Sequence, residues 1–313
     1  MAAQKLGHTA QQIPVRVPLI KATLVVVRDI PKSFANGLTT QSKSLGVPDY
    51  DKLVAQQKNF TDALESLQIK VLRLPADEKN PDSQFPRDTI ISYKGVMLEC
   101  NPGSDKRRKE VSQNVSDLKN AGIFVEKVKY VNGAFVEGGD VLTFDDQHLV
   151  LMAYSGRNEN IRTNKEGIAA LSKALRAVDP DVTVIAVPHV SITGASSYKP
   201  TMILHVETGF TPMTSKLALQ DPQCHVAWNH AYYPLPKSKE VQLPPWNSIH
   251  LPENEGYGAH VLPINGSIVI AKGFPTVKQL AAQHYEQVIE VDMSEAQKMD
   301  GSLRCWTILH NEN

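Results

Sequence analysis

A hairpin, a helix and a returning strand recur in that order along this chain about every 50–60 residues, a period typical of folds assembled from one supersecondary unit. Residues 22–27 form an apolar, valine-rich run that reads as a buried strand. Residues 50–67 carry apolar side chains at helical spacing, and 69–74 are a strand closed by Pro75. Residues 89–93 and 96–98 read as a hairpin turning at Lys94-Gly95, followed by a helix over 105–121 that Ser104 would cap and a strand over 123–128. The order returns as a hairpin of 141–144 and 149–152, a helix from 163 or 164 to 178, and a strand over 182–187. A third unit begins with a strand at 202–206, but prolines and polar residues within 211–220 leave its helix poorly marked. A fourth has the hairpin 260–263 and 268–271 around Asn265-Gly266, the helix 276–284 and the strand 288–291. Ser294 would cap one short turn, and 303–309 returns as a last strand that completes a unit with strands from the other end of the chain.

Each unit supplies one helix, so the pattern predicts an α/β ring of small mixed sheets with helices outside. No low-complexity linker divides the 313 residues, which reads as a single domain, 1–313, with 1–15 as a flexible N-terminal tail. Lysine plus arginine and aspartate plus glutamate both number 33, so no global field attracts nucleic acid or an anionic membrane. No run approaches the ~18 apolar residues of a membrane span. The polar start of the chain lacks the apolar core of a signal peptide. Cys100, Cys224 and Cys305 are odd in number and far apart, which favours a reducing compartment, the cytoplasm; export by an unconventional route is compatible with this. The segment 224–255, rich in aromatics and prolines, departs most from the repeat and reads as packed core rather than a recognition surface.

The residues suited to chemistry lie at strand ends in different units. Glu137-Gly138-Gly139-Asp140 sets two glycines between two carboxylates; such a pair either adopts positive φ or lets another group approach where a Cβ would obstruct it. Asp82 and Asp88 flank the first hairpin, Arg162-Thr163-Asn164 opens the third helix, and Cys305 lies near the C-terminus. Equivalent strand ends converge in a ring of repeats, so these residues can share one pocket. Carboxylates grip a planar guanidinium through paired hydrogen bonds, and a thiolate could attack its central carbon. Plainer roles compete: Asp82 after Pro81 is a turn former, and Cys305 beside Trp306 could be a small buried hydrophobe. The cysteines and histidines show no zinc spacing.

Taken in order, Leu74-Pro75-Ala76-Asp77-Glu78, Pro81-Asp82, Pro102-Gly103 with Arg107-Arg108-Lys109-Glu110-Val111, Glu137-Gly138-Gly139-Asp140-Val141-Leu142, Arg162-Thr163-Asn164 and Asp300-Gly301…Leu303…Cys305 resemble dimethylarginine dimethylaminohydrolase. The resemblance covers nearly the whole chain from about Ala22. It implies the pentein fold, a five-bladed α/β propeller of ββαβ repeats around a central pocket. It further implies hydrolysis of methylated arginines to citrulline and an alkylamine, through a Cys-His-acid set and a covalent thiouronium intermediate, with no cofactor and no metal. Cys305 falls at the nucleophile's position, Glu137 at that of the acid contacting the guanidinium, and Asp88 at that of a second such carboxylate. Asp82 falls on a further acidic position, and Arg162 on an arginine that binds the substrate carboxylate.

Three departures stand out. The family histidine lies about ten residues before a strand such as 201–206, and Val190 occupies that place in a loop about four residues shorter than usual. His189 is one residue away, an offset that in a strand turns a side chain to the opposite face; His205 is a weaker candidate again. Arg87 replaces an acidic residue, putting a cation where a substrate ammonium would be drawn in, and Asn101 replaces a second carboxylate-binding arginine. The reading that follows is a pentein that has lost efficient hydrolase activity and serves as a binding or interaction protein, for an unidentified protein or other ligand. The alternative is an active hydrolase of a small guanidino compound, using Cys305 with a displaced histidine such as His189.

Overall fold

Five small sheets carry the described part of the chain, residues 19–39, 45–155, 162–191 and 205–312 of this computed structural model. β1 (Leu24–Arg28) is buried along its whole length, as its apolar run requires. Helix α1 (Tyr50–Ser66), capped where the Asp49 side chain accepts the Lys52 N–H at 3.0 Å, crosses to β2 (Lys70–Leu74), parallel to β1. β3 (Ile90–Tyr93) and β4 (Val96–Glu99) form a hairpin whose two turn residues both have positive φ, 49° at Lys94 and 73° at Gly95. That is the twist-matched geometry of a two-residue hairpin. α2 (Asp105–Asn120) leads from it to β5 (Val125–Glu126), parallel to β4. β6 (Val141–Phe144) and β7 (Leu149–Ser155) repeat the hairpin, and α3 (Lys165–Val178), capped by Asn164, crosses to β8 (Thr183–Ser191).

The third unit differs. β9 (Phe210–Pro212) and β10 (Leu217–Gln220) pair, β11 (Cys224–Val226) joins the edge of β8, and β12 (Asn247–His250) lies parallel to β10. Its crossover, residues 221–246, has no α-helix, and residues 211–220, where the sequence suggests a poorly marked helix, belong to β9, β10 and the turn between them. Instead Trp246, 1% exposed, packs on Phe144 at 5.0 Å between ring centroids, and Trp228 on Phe210 at 5.7 Å. The segment 224–255 thus buries aromatic surface where other units use a helix. β13 (Leu262–Ile264), β14 (Ser267–Ala271), α4 (Pro275–His284) and β15 (Val288–Val291) restore the standard order. β16 (Ile308–His310) pairs antiparallel with β1 and closes the chain ends into one sheet.

Every sheet is therefore built on a middle strand with an antiparallel partner on one side and a parallel one on the other. Two expected strands are corrected. Val206 opens a helical turn, Val206–Gly209, while 202–204 lie outside the described residues, as does the tail 1–15. The last strand begins at Ile308, not 303; residues 303–306 make a turn in which the Thr307 N–H donates to the Arg304 carbonyl at 3.0 Å. Trp306 in that turn packs on Phe60 of α1, 5.8 Å between centroids, and anchors it in the core. Among the described residues no helix is long and apolar enough to cross a membrane.

Candidate active site

The double glycine serves close approach. A Cβ on Gly138 would run into the Arg87 carbonyl, and one on Gly139 would lie 2.6 Å from the His205 ring and 2.9 Å from Asp88 Oδ1. Real Cβ atoms do not come so near, so only glycine lets these segments meet. Just before them, Val136 and Asn101 exchange backbone hydrogen bonds of 2.8 and 3.1 Å. The Glu137 N–H donates to Thr163 Oγ1 at 3.0 Å, and these bonds aim the Glu137 side chain inward.

Glu137 is fully buried. Its Oε2 accepts from His205 Nε2 at 2.6 Å and from Arg162 Nη1 at 2.9 Å, while Oε1 has no hydrogen-bond partner. Burial opposes its charge, but the His205 bond and the Arg162 cation overcome it and hold the carboxyl down to about 2. Burial likewise opposes the imidazolium of His205; Asp88, the Glu137 bond and Asp140 outweigh it and raise His205 to about 9. The pair is thus an imidazolium and a carboxylate at neutral pH. Asp140 steadies the same corner by accepting from Thr163 Oγ1 at 2.6 Å and the Val206 N–H at 3.0 Å.

Asp82, Asp88, Arg107, Arg162, His205 and Cys305 line one pocket, with Leu38, Phe85, Met299 and Asp300 as its walls. Glu137 stands behind His205 and Arg162. Asp82 accepts the Leu38 N–H at 3.0 and 3.1 Å, and burial raises its carboxyl. Asp88 Oδ2 accepts from Arg107 Nη1 at 2.7 Å; its Oδ1 has no hydrogen-bond partner and lies 3.7 Å from His205 Nδ1. Arg107 is itself clamped by Glu110, 2.9 Å to each carboxylate oxygen, and donates to the Phe85 carbonyl at 3.0 Å. Cys305 Sγ is 3.1 Å from Ser302 Oγ and 3.8 Å from Glu207 Oε1. Burial, then Glu207 and Asp88, push its thiol well up, so the sulfur is protonated until a cation offsets those carboxylates.

Five of the residues singled out from sequence, Asp82, Asp88, Glu137, Arg162 and Cys305, therefore meet in one place. His189 lies in β8, opposite Val226, and its side chain is outside what the structure describes. The expectation of a pocket without an imidazole is overturned: the ring bonded to Glu137 belongs to His205, ranked low because 202–206 was read as an ordinary strand. Arg87 is corrected as well. It does not line this pocket; its Nε lies 3.3 Å from Glu207 Oε2 and its Nη2 donates to the Val141 carbonyl. Asn101 is also outside the pocket, bonded to the Ala134 carbonyl at 2.6 Å, whereas Arg107, in the run 107–111, supplies a cation that sequence reading passed over. Glu207, two residues beyond His205, was missed for lack of any local signal.

Asp88, Glu137 and His205 each offer one potential ligand atom within 4.8 Å of the others. With both ring nitrogens protonated, His205 has no lone pair to offer a metal ion, which needs one to bind. The same two unpartnered carboxylate oxygens, Asp88 Oδ1 and Glu137 Oε1, suit N–H donors.

The sequence model of a family described as N,N dimethylarginine dimethylhydrolase, eukaryotic, matches residues 47–212. The chain is 26% identical over 285 residues to the N(G),N(G)-dimethylarginine dimethylaminohydrolase of Pseudomonas aeruginosa, covering 91% of this chain and 98% of that one. Its fold is similar to a crystal structure of a histidine-to-glycine variant of dimethylarginine dimethylaminohydrolase, an adduct with S-methyl-L-thiocitrulline. The TM-score is 0.73 and the identity 24%, over 92% of this chain and 99% of the other. It is similar too to a cysteine-to-serine mutant of the Pseudomonas aeruginosa protein complexed with citrulline, with a TM-score of 0.72 and 24% identity over 93% and 100% of the two chains.

Proposed function

This chain belongs to the dimethylarginine dimethylaminohydrolase family and has its α/β pentein fold, and from that premise we propose that it is a working cysteine hydrolase of methylated arginines. The observation that carries the proposal is the His205–Glu137 pair beside the pocket that holds Cys305, Asp82 and Asp88. This replaces the loss of activity that the sequence favoured, since the missing imidazole was the main ground for it.

The chemistry follows from the charges. A guanidinium entering the pocket presents N–H donors to Asp88 Oδ1, which is buried without a hydrogen-bond partner, and to Asp82 on the same pocket wall, with Glu137 behind them. Its positive charge offsets the carboxylates that hold the Cys305 proton, and the thiol ionises, releasing that proton to solvent. The thiolate attacks the central carbon. His205, already protonated, gives its proton to the methylated nitrogen as that C–N bond breaks and the alkylamine leaves. The neutral imidazole then takes a proton from water, whose oxygen attacks the S-linked thiouronium carbon. The C–S bond breaks as the hydroxyl proton of the tetrahedral adduct passes to the sulfur, releasing citrulline, regenerating the Cys305 thiol and leaving His205 protonated. Glu137 keeps the His205 ring oriented throughout and stabilises its charged form. Arg162, 17% exposed at its side chain, is the cation placed to meet the substrate carboxylate, as the resemblance implies.

A second reading, a guanidine-binding protein without turnover, rests on the same buried thiol, which stays protonated if the ligand does not ionise it. Citrulline release from asymmetric dimethylarginine, monomethylarginine and arginine separates the two. The hydrolase produces citrulline from at least one methylated substrate, and Cys305→Ser abolishes it. Tight binding with no citrulline from any of the three would establish the second reading instead.

A further inference from the structure

Two pairs of sequence neighbours face opposite ways: Asp88 and Cys305 line the catalytic pocket, whereas Arg87 and Arg304 line a second cavity with Lys21, Ser92, Thr143 and Asp145. The two spaces share no lining residue. Glu207 stands between them, 3.8 Å from the Cys305 sulfur, 3.3 Å from Arg87 Nε and 3.9 Å from Arg304 Nε. We propose that the second cavity is a binding site for a small oxyanion, held by the Arg304 guanidinium with Arg87 beside it.

Arg304 is 2% exposed, yet its Nε and Nη1 have no hydrogen-bond partner within the protein. Glu207 lies beyond hydrogen-bond distance of it and is already engaged by Arg87, so two buried guanidinium groups face one carboxylate. A buried charge is tolerated only when it is paired and its hydrogens are used, and an oxyanion in the cavity supplies both. Burial lowers Arg304 only to about 10, so it remains a cation at neutral pH. The rim has its own balance. Lys21 pairs with Asp146 at 2.7 Å, and Asp145 accepts the Lys94 N–H at 2.9 Å. Asp145 is thus the acid an incoming anion passes, which restricts the ligand to a compact group that seats on Arg304 beyond it. A one-carbon carboxylate and inorganic phosphate share that chemistry.

The full chain is titrated with formate and, separately, with phosphate, and its Tm is compared with that in chloride at equal ionic strength. A saturable rise of a few degrees beyond chloride is expected, and whichever anion saturates at lower concentration identifies the carboxylate or the phosphate as the better ligand. Arg304→Gln removes the rise, and so does Thr143→Phe, which fills the cavity from β6 and decides the matter if the arginine variant does not fold. A rise no larger than that of chloride overturns the proposal. So does a rise that survives both substitutions, or one lost in Arg162→Gln, since the anion would then sit in the catalytic pocket.

Discussion

His205 Nε2 lies 2.6 Å from Glu137 Oε2, and both residues are buried although 68 positions separate them in the chain. Gly139 lets the ring in, Thr163 and Asn101 hold the segment that carries Glu137, and Asp88 lies on the other side of the ring. On the proposed reading, this contact makes His205 rather than His189 the acid-base group.

His205→Ala should lower kcat for citrulline release by about 10²–10⁴-fold, the usual loss for a positioned general acid-base group. His189→Ala should stay within a few-fold of the wild type. The opposite pattern in the same assay would return the role to His189.

The His205–Glu137 pair also sets a pH window for stability. His205 at about 9 lies above the ~6.5 of an unfolded chain. Its contribution is fully present below about pH 6.5 and is lost as pH rises through about 9. Glu137, held at about 2, contributes fully above its unfolded value and loses its part as pH falls toward 2. On the alkaline side the change is on the order of 3 kcal/mol. Urea midpoints measured from pH 6 to 10 should fall for the wild type and stay flatter for His205→Gln; parallel curves would refute the assignment. The same deprotonation removes the proton meant for the leaving amine, so kcat should decline above about pH 9.

Glu207 is fully buried between two arginines, so Glu207→Gln leaves Arg87 and Arg304 without a countercharge. Removing one partner of a buried ion pair destabilises by roughly 3–5 kcal/mol. Replacing the pair together, Arg87→Met with Glu207→Leu, should recover much of that loss, as apolar substitutes for a buried pair commonly do. Chemical denaturation of Arg87→Met, Glu207→Leu and the double gives the coupling; additive losses would show that the two charges do not act as a pair.

Gly139→Ala places a Cβ 2.6 Å from the His205 ring and 2.9 Å from Asp88 Oδ1, so the ring and the carboxylate must shift together. A displacement of this kind costs about 10²-fold in rate. Steady-state kinetics should show kcat falling with KM little changed, and an unaltered kcat would mean that the ring position is not critical.

Much of the fold was legible because local chemistry decides it. Lys94-Gly95 and Asn265-Gly266 take the positive φ their hairpins need, with Asn265 at 50° and Gly266 at 82°. Asn164 caps its helix, and the apolar runs at Leu24–Arg28 and Ser267–Ala271 are middle strands. The third unit was misread, with a poorly marked helix over residues that form β9 and β10, because tertiary packing of Trp228 and Trp246 replaces the helix that periodicity would have revealed.

The site divides in the same way. Sequence by itself determined the repeat, the family resemblance, and the carboxylates and thiol that meet in the pocket, since each stands in a motif whose spacing is local. Only tertiary structure decided that His205 faces Glu137 and that Arg87 turns away to Glu207, because direction in a helical turn or a strand end depends on the segments packed against it. Counting along the chain placed a valine where a histidine was wanted. The close approach at Gly139, between residues 66 positions apart, supplied the histidine from elsewhere.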